Sequence, residues 1–474
     1  MPLLLATLLL LAAVCPSAEV RRPDIVVFLT DDLGRLDTAP YGGGGIRTPH
    51  VAALAAAGLT FDRAYVASPS CAPSRAALLT GLMPARNGAS SNHAKPRAEI
   101  RKWPSYFKEL GYEVAAFGKV SHYRHTADYG FDVFAHDTFH DPEGVPAALK
   151  FLRERPKDAR PLCLMIGSNW PHVPWPVDDK THLAEDLKLP AASLDTPQTR
   201  VWRARYADAV ARGDAELGEV MRAVREKLPP STMIVFTSDH GAQWPFGKWN
   251  LYEAGVATPL IVSWPGKVAA GTRTAAMVSW VDLLPTLLEA AGGKAPADID
   301  GRSFLPALQG GDRHRDRIFT THSNDNRMNV YPARAVRDGR WKYVRNLRPE
   351  WAFTTHIDLQ ESRGDALGQR AFFAEWEALA RTDAAAATLA RYHRRPAEEL
   401  YDLEQDPAEL TDVATVPANA AKLAELRAAL DAWMREQGDD GSVPVAGRPL
   451  SDPGTYGPAG AAAEAAAAAK RRKK

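Results

Sequence analysis

The chain has little cysteine, little net charge and no long hydrophobic run. Only three cysteines occur in 474 residues, so a disulfide-dense scaffold is excluded. Lys+Arg at 58 against Asp+Glu at 57 leaves a formal charge of +1, so nothing global points to nucleic acid and any charge selectivity must be local. The longest apolar stretch, Pro2 to Val14, is too short to span a bilayer permanently. Followed by Cys15-Pro16-Ser17-Ala18, it reads as a secretory leader over residues 1–18, although it lacks a basic first segment. Anchoring as a lipoprotein through Cys15 is disfavoured because Val14 is bulkier than the small residue expected there. The expectation is therefore an exported protein, periplasmic or extracellular, without a stable membrane span. No internal repeat is evident, which argues against a solenoid or a propeller.

What is present is an alternation of short apolar runs and helix-like segments. Asp24 to Leu29, Val114 to Phe117, Leu162 to Ile166, Met233 to Phe236 and Leu260 to Val262 read as buried parallel strands. Val51 to Ala57 and Tyr206 to Leu228 have helical character, so the pattern predicts an open α/β sheet. Each of the first four strands is followed by chemistry: Asp31 and Asp32, then Lys119 and His122, then His172, then Asp239 and His240. In open parallel sheets the crevice outside the carboxyl ends of the strands is where ligands bind. One Asp-Asp pair after a strand is more often a turn than a site; four such placements predict a single crevice lined with carboxylates and bases.

The chain is long enough for one large α/β domain and a smaller one. We place the catalytic domain at residues 22–314. Beyond it, Ala333 to Val344 alternates apolar and charged residues around Asp338-Gly339, a hairpin signal, and Glu399 to Pro407 reads as a strand and turn before an amphipathic helix over Ala420 to Gln437. These make a C-terminal α+β subdomain over 315–438. Residues 439–474, rich in Gly, Pro and Ala and ending in Lys470-Arg471-Arg472-Lys473-Lys474, read as a flexible basic tail.

The most informative stretch is Ser70-Cys71-Ala72-Pro73-Ser74-Arg75-Ala76-Ala77-Leu78-Leu79-Thr80-Gly81. Pro suits a first helical turn and Gly a helix end, so Cys71 is expected at a helix N-terminus, where free N–H groups and the helix dipole favour an anion. Taken alone, Cys71 would be a small buried residue opening an ordinary helix. The spacing of Cys71, Pro73 and Arg75 resembles the signature at which sulfatases convert cysteine to formylglycine, and the resemblance extends from Pro23 to Leu403.

That resemblance implies an alkaline-phosphatase-like sandwich, with a large mostly parallel sheet flanked by helices, and a divalent cation. Asp31, Asp32, Cys71 as formylglycine, Asp239 and His240 match the metal positions. Oxygen donors suit Ca²⁺, with Mg²⁺ as the alternative, although His240 stands where the family often has Asn. Arg75, Lys119, His122, His172 and Lys248 match the remaining catalytic positions. On the family pattern Lys119 and Lys248 neutralise sulfate oxygens, His172 protonates the leaving group and His122 takes a proton as sulfate departs. The gap between Lys119 and His122 is one residue longer than in many members. Pairing Cys71 with Cys163 would consume the nucleophile, so no structural disulfide is expected.

The blocks Asn87 to His93, Asn169 to Trp175 and Ser238 to Lys248 most resemble the N-sulfoglucosamine sulfohydrolase group. On that likeness His93, Trp170, Trp175 and Trp244 would line a sugar pocket, since indole faces stack on pyranose rings; core packing is the competing role for each Trp. The implied partners are a sulfated saccharide and a formylglycine-generating maturation enzyme. Competing expectations are an O-sulfatase on another polysaccharide, a phosphonate monoester or phosphodiester hydrolase of the same superfamily, and an inactive sulfated-glycan-binding relative.

Overall fold

The structure, a computed structural model, describes residues 21–135, 142–325, 329–359, 369–382 and 385–443. The leader expected at 1–18, and the part of the expected tail beyond residue 443, lie outside them. The main sheet has eight strands: β1 (Ile25–Thr30), β2 (Leu59–Tyr65), β3 (Glu113–Gly118), β4 (Val133–Ala135), β5 (Leu162–Gly167), β6 (Met233–Ser238), β7 (Leu260–Ser263) and β8 (Thr272–Ser279), in the order β4-β3-β5-β1-β6-β7-β2-β8. β1 runs parallel to β5 and β6, and β3 runs parallel to β5. Their carboxyl ends therefore open on the same side of the sheet.

Burial explains the composition of the central strands. Ile25, Val27 and Leu29 of β1 join one hydrophobic cluster and Val26 and Phe28 the other, so every position from Ile25 to Leu29 is apolar because both faces are covered. The long helix Pro197–Lys227 forms much of one cover. Its N-cap Thr196 accepts from the Thr199 N–H at 3.1 Å, and Trp202, Tyr206, Val210 and Leu217 recur on the face it buries.

One strand departs from expectation. β7 pairs antiparallel with both β6 and β2, not parallel. A parallel return needs a crossover helix long enough to traverse the sheet. Between β6 and β7 the only α-helix is the four-residue Glu253–Val256, the rest of the segment being loop, so the chain turns directly back. β2, β4 and β8 had no legible signal. β2 carries Asp62 and Arg63 within its run, β8 begins with exposed Thr272 and Arg273, and β4 is three residues long.

A second sheet is antiparallel, ordered β12-β11-β10-β9, with β9 (Ile318–Asp325), β10 (Asn329–Arg337), β11 (Trp341–Asn346) and β12 (Glu398–Asp402). The β10–β11 turn is closed by Asp338, whose Oδ1 accepts from the Arg340 and Trp341 N–H groups at 2.8 and 2.7 Å. The helix Ala420–Gln437 packs on this sheet through Leu426, Leu430 and Trp433, and Trp433 stacks on Phe319 at 4.7 Å. Ala67, Ala77, Met83 and Val281 of the larger unit belong to the same cluster, so the two sheets share one apolar seam. Among the described residues no helix is long and apolar enough to cross a membrane.

Candidate active site

Cys71 opens the helix Cys71–Thr80, every residue of which is buried. Pro73 lies in its first turn, where its missing N–H costs nothing, and Gly81 ends it in the left-handed region at φ 68°. The Ala72 N–H donates to Asn92 Oδ1 at 3.0 Å, and Ser74 Oγ–H donates to the Asp239 carbonyl at 2.6 Å. These bonds fix the helix start against the end of β6. Both Cys71 and Cys163 are free thiols; Cys163 is buried against the Trp103 indole N–H at 3.3 Å.

The ends of β1, β3 and β6 and the loop after β5 converge on Cys71. Asp31 and Asp32 follow β1, and Asp239 and His240 follow β6. Gly118, at φ 68°, ends β3 so close to Gly167 that a Cβ would collide with the Gly167 carbonyl; this approach turns Lys119 into the crevice. Arg75 donates from Nε to Asp239 Oδ2 at 2.9 Å and from Nη2 to Asp31 Oδ1 at 3.1 Å, and also to the Lys119 carbonyl. It ties three strand ends to the Cys71 helix. Lys119 Nζ lies 2.5 Å from Asp31 Oδ2 and 3.6 Å from Cys71 Sγ. Lys248 Nζ lies 2.8 Å from Asp32 Oδ2 and 3.2 Å from Gln243 Oε1.

These charges are buried, and their ionisation follows from their neighbours. Burial favours the neutral acid at Asp31, yet Lys119, with His172 and Arg75, holds its carboxyl well below the usual range. Asp32 is raised by burial and by Asp31 and Asp239, against Lys248 and His240. Burial also pushes the Cys71 thiol upward despite Lys119 and Lys248. As encoded, the side chain is therefore a thiol at neutral pH and not a thiolate nucleophile.

Ligating atoms of Asp32, Cys71, Asp239 and His240 lie within 4.8 Å of one another. His240 Nδ1–H donates to the Gly241 carbonyl at 3.0 Å, which leaves the Nε2 lone pair facing Cys71 Sγ at 3.3 Å, Asp32 Oδ1 at 3.4 Å and Asp239 Oδ2 at 3.5 Å. Asp32 Oδ1 is buried with no hydrogen-bond donor. A lone pair and an orphaned carboxylate oxygen pointing at one place fit a hard divalent cation. Asp31 stands outside that group, its oxygens engaged by Lys119 and Arg75.

His172 is buried, and its Nδ1–H donates to the Val173 carbonyl at 2.6 Å, so that Nε2 faces Asp32 Oδ2 at 3.8 Å. His122 is also buried; burial and Lys119 hold its pKa far below the ordinary imidazole value. Its Nε2 lies 2.7 Å from His93 Nδ1, and His93 Nε2 lies 3.2 Å from Asp325 Oδ1.

The sugar-stacking expectation is corrected for two residues. Trp175 and Trp244 are each 2% exposed and stack on one another at 5.9 Å, with Phe372 covering the second ring. Their indole N–H groups donate inward, to the Pro171 carbonyl and Ser193 Oγ, both at 2.7 Å. They belong to the core beneath the crevice and offer no ring face to a sugar. Trp170 is half-buried, with the Arg212 guanidinium 5.0 Å from its ring centroid. Sequence reasoning missed Asn92, Gln243, Asp325 and His356. His356 stacks on Trp249 at 5.1 Å near Asp325, and its Nδ1 is buried without a partner. Asn92 was visible beside His93, whereas Asp325 and His356 come from distant segments with no spacing to connect them.

Residues 23–293 match the Sulfatase family, and residues 240–365 match the family described as N-sulphoglucosamine sulphohydrolase, C-terminal. The chain is 32% identical over 450 residues to an ulvan-active sulfatase of Formosa agariphila, covering 92% of this chain and 85% of that protein. It is 29% identical over 486 residues to the N-sulphoglucosamine sulphohydrolase of Homo sapiens, covering 91% and 93%. A solved structure in complex with D-glucosamine-2-N,6-O-disulfate shares the fold, with a TM-score of 0.66 at 20% identity over 89% of this chain and 99% of that one.

Proposed function

We propose, from the premise that the chain belongs to the sulfatase family, that this hydrolase of sulfated sugars releases the N-sulfate of glucosamine in heparin- or heparan-type glycans. The observation that carries the reading is the match of residues 240–365 to the N-sulphoglucosamine sulphohydrolase C-terminal family, supported by the human relative. The leader at 1–18 supports export to the periplasm or outside the cell, and a formylglycine-generating enzyme is the maturation partner.

Asp32, Asp239, His240 and residue 71 would hold the cation, calcium before magnesium, with Asp31 as a neighbouring carboxylate. When present, formylglycine at residue 71 supplies an oxygen nucleophile and the cation supplies a Lewis acid for the sulfate. Lys119 and Lys248, each tied to a carboxylate, sit where developing negative charge would gather, at the N-terminus of the Cys71 helix. Arg75 holds the carboxylates and the helix in register. His172 has Nδ1 committed to the Val173 carbonyl, so a second proton is carried at Nε2, the atom facing the site. An amine leaving group needs such a proton. His122 is the base in the later proton transfer.

A second reading, O-sulfate release from another sulfated polysaccharide, is favoured by the ulvan-active relative. Sulfate release is to be compared on glucosamine N-sulfate, 2-O- and 6-O-sulfated sugars and ulvan fragments, with phosphate and phosphonate esters alongside. The proposal expects the N-sulfate to have the highest kcat/KM. Turnover of an O-sulfate with none of the N-sulfate would refute the substrate, and preference for phosphonate would refute the class.

A further inference from the structure

His122 is reached by a chain of hydrogen bonds that begins in the second sheet. Asp325 is the last residue of β9. Its Oδ2 accepts from Asn92 Nδ2 at 2.9 Å and from Trp249 Nε1 at 3.1 Å. Both groups are donors only in these bonds. Its Oδ1 faces His93 Nε2 at 3.2 Å, and His93 Nδ1 lies 2.7 Å from His122 Nε2. His122 Nδ1, at the far end, is buried without a partner. Asn92 also accepts from the Ala72 N–H, and its own N–H donates to the Asn324 carbonyl at 2.9 Å. The loop carrying His93 is thus clamped between the nucleophile helix and β9.

The proton order along this chain follows from which atoms can donate. Burial works against charge on Asp325, but the bond from His93, with His356 and Asn92 close by, holds its carboxyl far below the ordinary value. It is ionised and accepts only. A neutral His93 must then carry its proton on Nε2, which leaves Nδ1 as an acceptor. His122 must carry its proton on Nε2 and donate. Nδ1 is left bare. The reverse order would put an N–H on His122 Nδ1, which is buried with no acceptor to receive it, and burial, with Lys119, His93 and His125, disfavours a positive charge on His122 itself.

We propose that Asp325 and His93 are positioning residues that fix the tautomer of His122, holding its proton on Nε2 and leaving Nδ1 unprotonated and ready to accept a proton during turnover. The proposal rests on the sulfatase reading for the role of His122, and it moves His93 from sugar contact to orientation of the base. It gives the second sheet a part in the chemistry through one carboxylate.

Asp325→Asn makes the sharpest variant. Asn92 and Trp249 both donate toward Oδ2, so an amide at 325 must turn its carbonyl oxygen to them and its NH₂ to His93 Nε2. Every proton in the chain then reverses, and His122 Nδ1 becomes the protonated atom. Long-range ¹H–¹⁵N spectra of full-length protein labelled on histidine, with the His122 signal assigned by its loss in His122→Ala, read this order directly. Wild-type protein is expected to show Nε2 protonated and Nδ1 bare; Asp325→Asn is expected to show the reverse, with kcat reduced by about 10²–10⁴-fold and KM little changed. His93→Phe keeps a ring at a position whose side chain is 44% exposed, and it is expected to lose kcat in the same way if Asp325→Asn fails to fold. A wild-type His122 protonated on Nδ1 would overturn the proposal. So would a His93→Phe variant whose KM rises at unchanged kcat, which would return His93 to sugar contact. The spectra need no substrate, so failure of the sulfatase reading and failure of the relay are told apart.

Discussion

At the residue scale the site is a set of buried charges, each held by another. Cys71 and Arg75 were legible from a spaced motif and Lys119 and Asp239 from their places after strand ends, whereas Lys248 came only from the family resemblance. Asp325 was not, because its partner His93 is far away in sequence and only the packing of β9 against the loop at 91–93 joins them. Trp175 and Trp244 were misread for the converse reason: an indole in a site motif has the same letters whether it faces the crevice or the core. The orphaned Asp32 Oδ1 carries a prediction about metal. Exhaustive chelation is expected to abolish sulfate release and to lower the melting temperature, with calcium restoring both. Unchanged rate and melting after metal removal has been confirmed by elemental analysis would contradict the site.

At the scale of elements, apolar runs covered on both faces were readable, whereas the edge strands β4 and β8, and β2 beside β8, were not. β1, β5 and β6, and β3 from Val114 onward, are continuous buried runs, whereas β8 opens with exposed Thr272 and Arg273 and carries polar residues that disguise it. The direction of β7 was unreadable because it depends on what the preceding loop is used for. The segment after β8 offers a stability test. Asp282 caps it, accepting from the Ser279 and Arg302 N–H groups at 2.9 and 2.8 Å and from Arg315 Nε at 2.7 Å. Burial alone would raise its pKa, but Arg315, with His314, holds it at about 2 against an ordinary 3.8. A depressed folded-state value means that this stabilisation is complete above pH 3.8 and is lost as pH falls toward 2. Asp282→Ala is expected to cost about 3 kcal/mol in denaturant unfolding at pH 7, because the largely covered Arg315 loses its carboxylate partner and keeps only the Asp300 carbonyl. The cost should shrink over that acid window; a pH-independent cost would exclude the ion pair as its source.

At the scale of the whole molecule, the change of character near residue 315 marks a change of sheet and not a point at which the chain can be cut. Val336, Tyr343, Leu400 and Leu430 share a cluster with Ala67, Ala77 and Met83, so each sheet covers apolar surface of the other. A chain ending at residue 314 is expected to be insoluble or inactive, as judged by circular dichroism, sedimentation and sulfate release. A soluble, active fragment would show that the seam and Asp325 are dispensable.

Cys71, converted to formylglycine, is the nucleophile that we propose for this sulfatase. Its most direct test is peptide mass spectrometry across residues 70–81, paired with sulfate release, on protein produced with and without a formylglycine-generating enzyme. The fraction of residue 71 that has lost its thiol sulfur is predicted to scale with activity, and Cys71→Ala is predicted to have none. Full activity in protein whose residue 71 is entirely unmodified cysteine would rule out a formylglycine nucleophile.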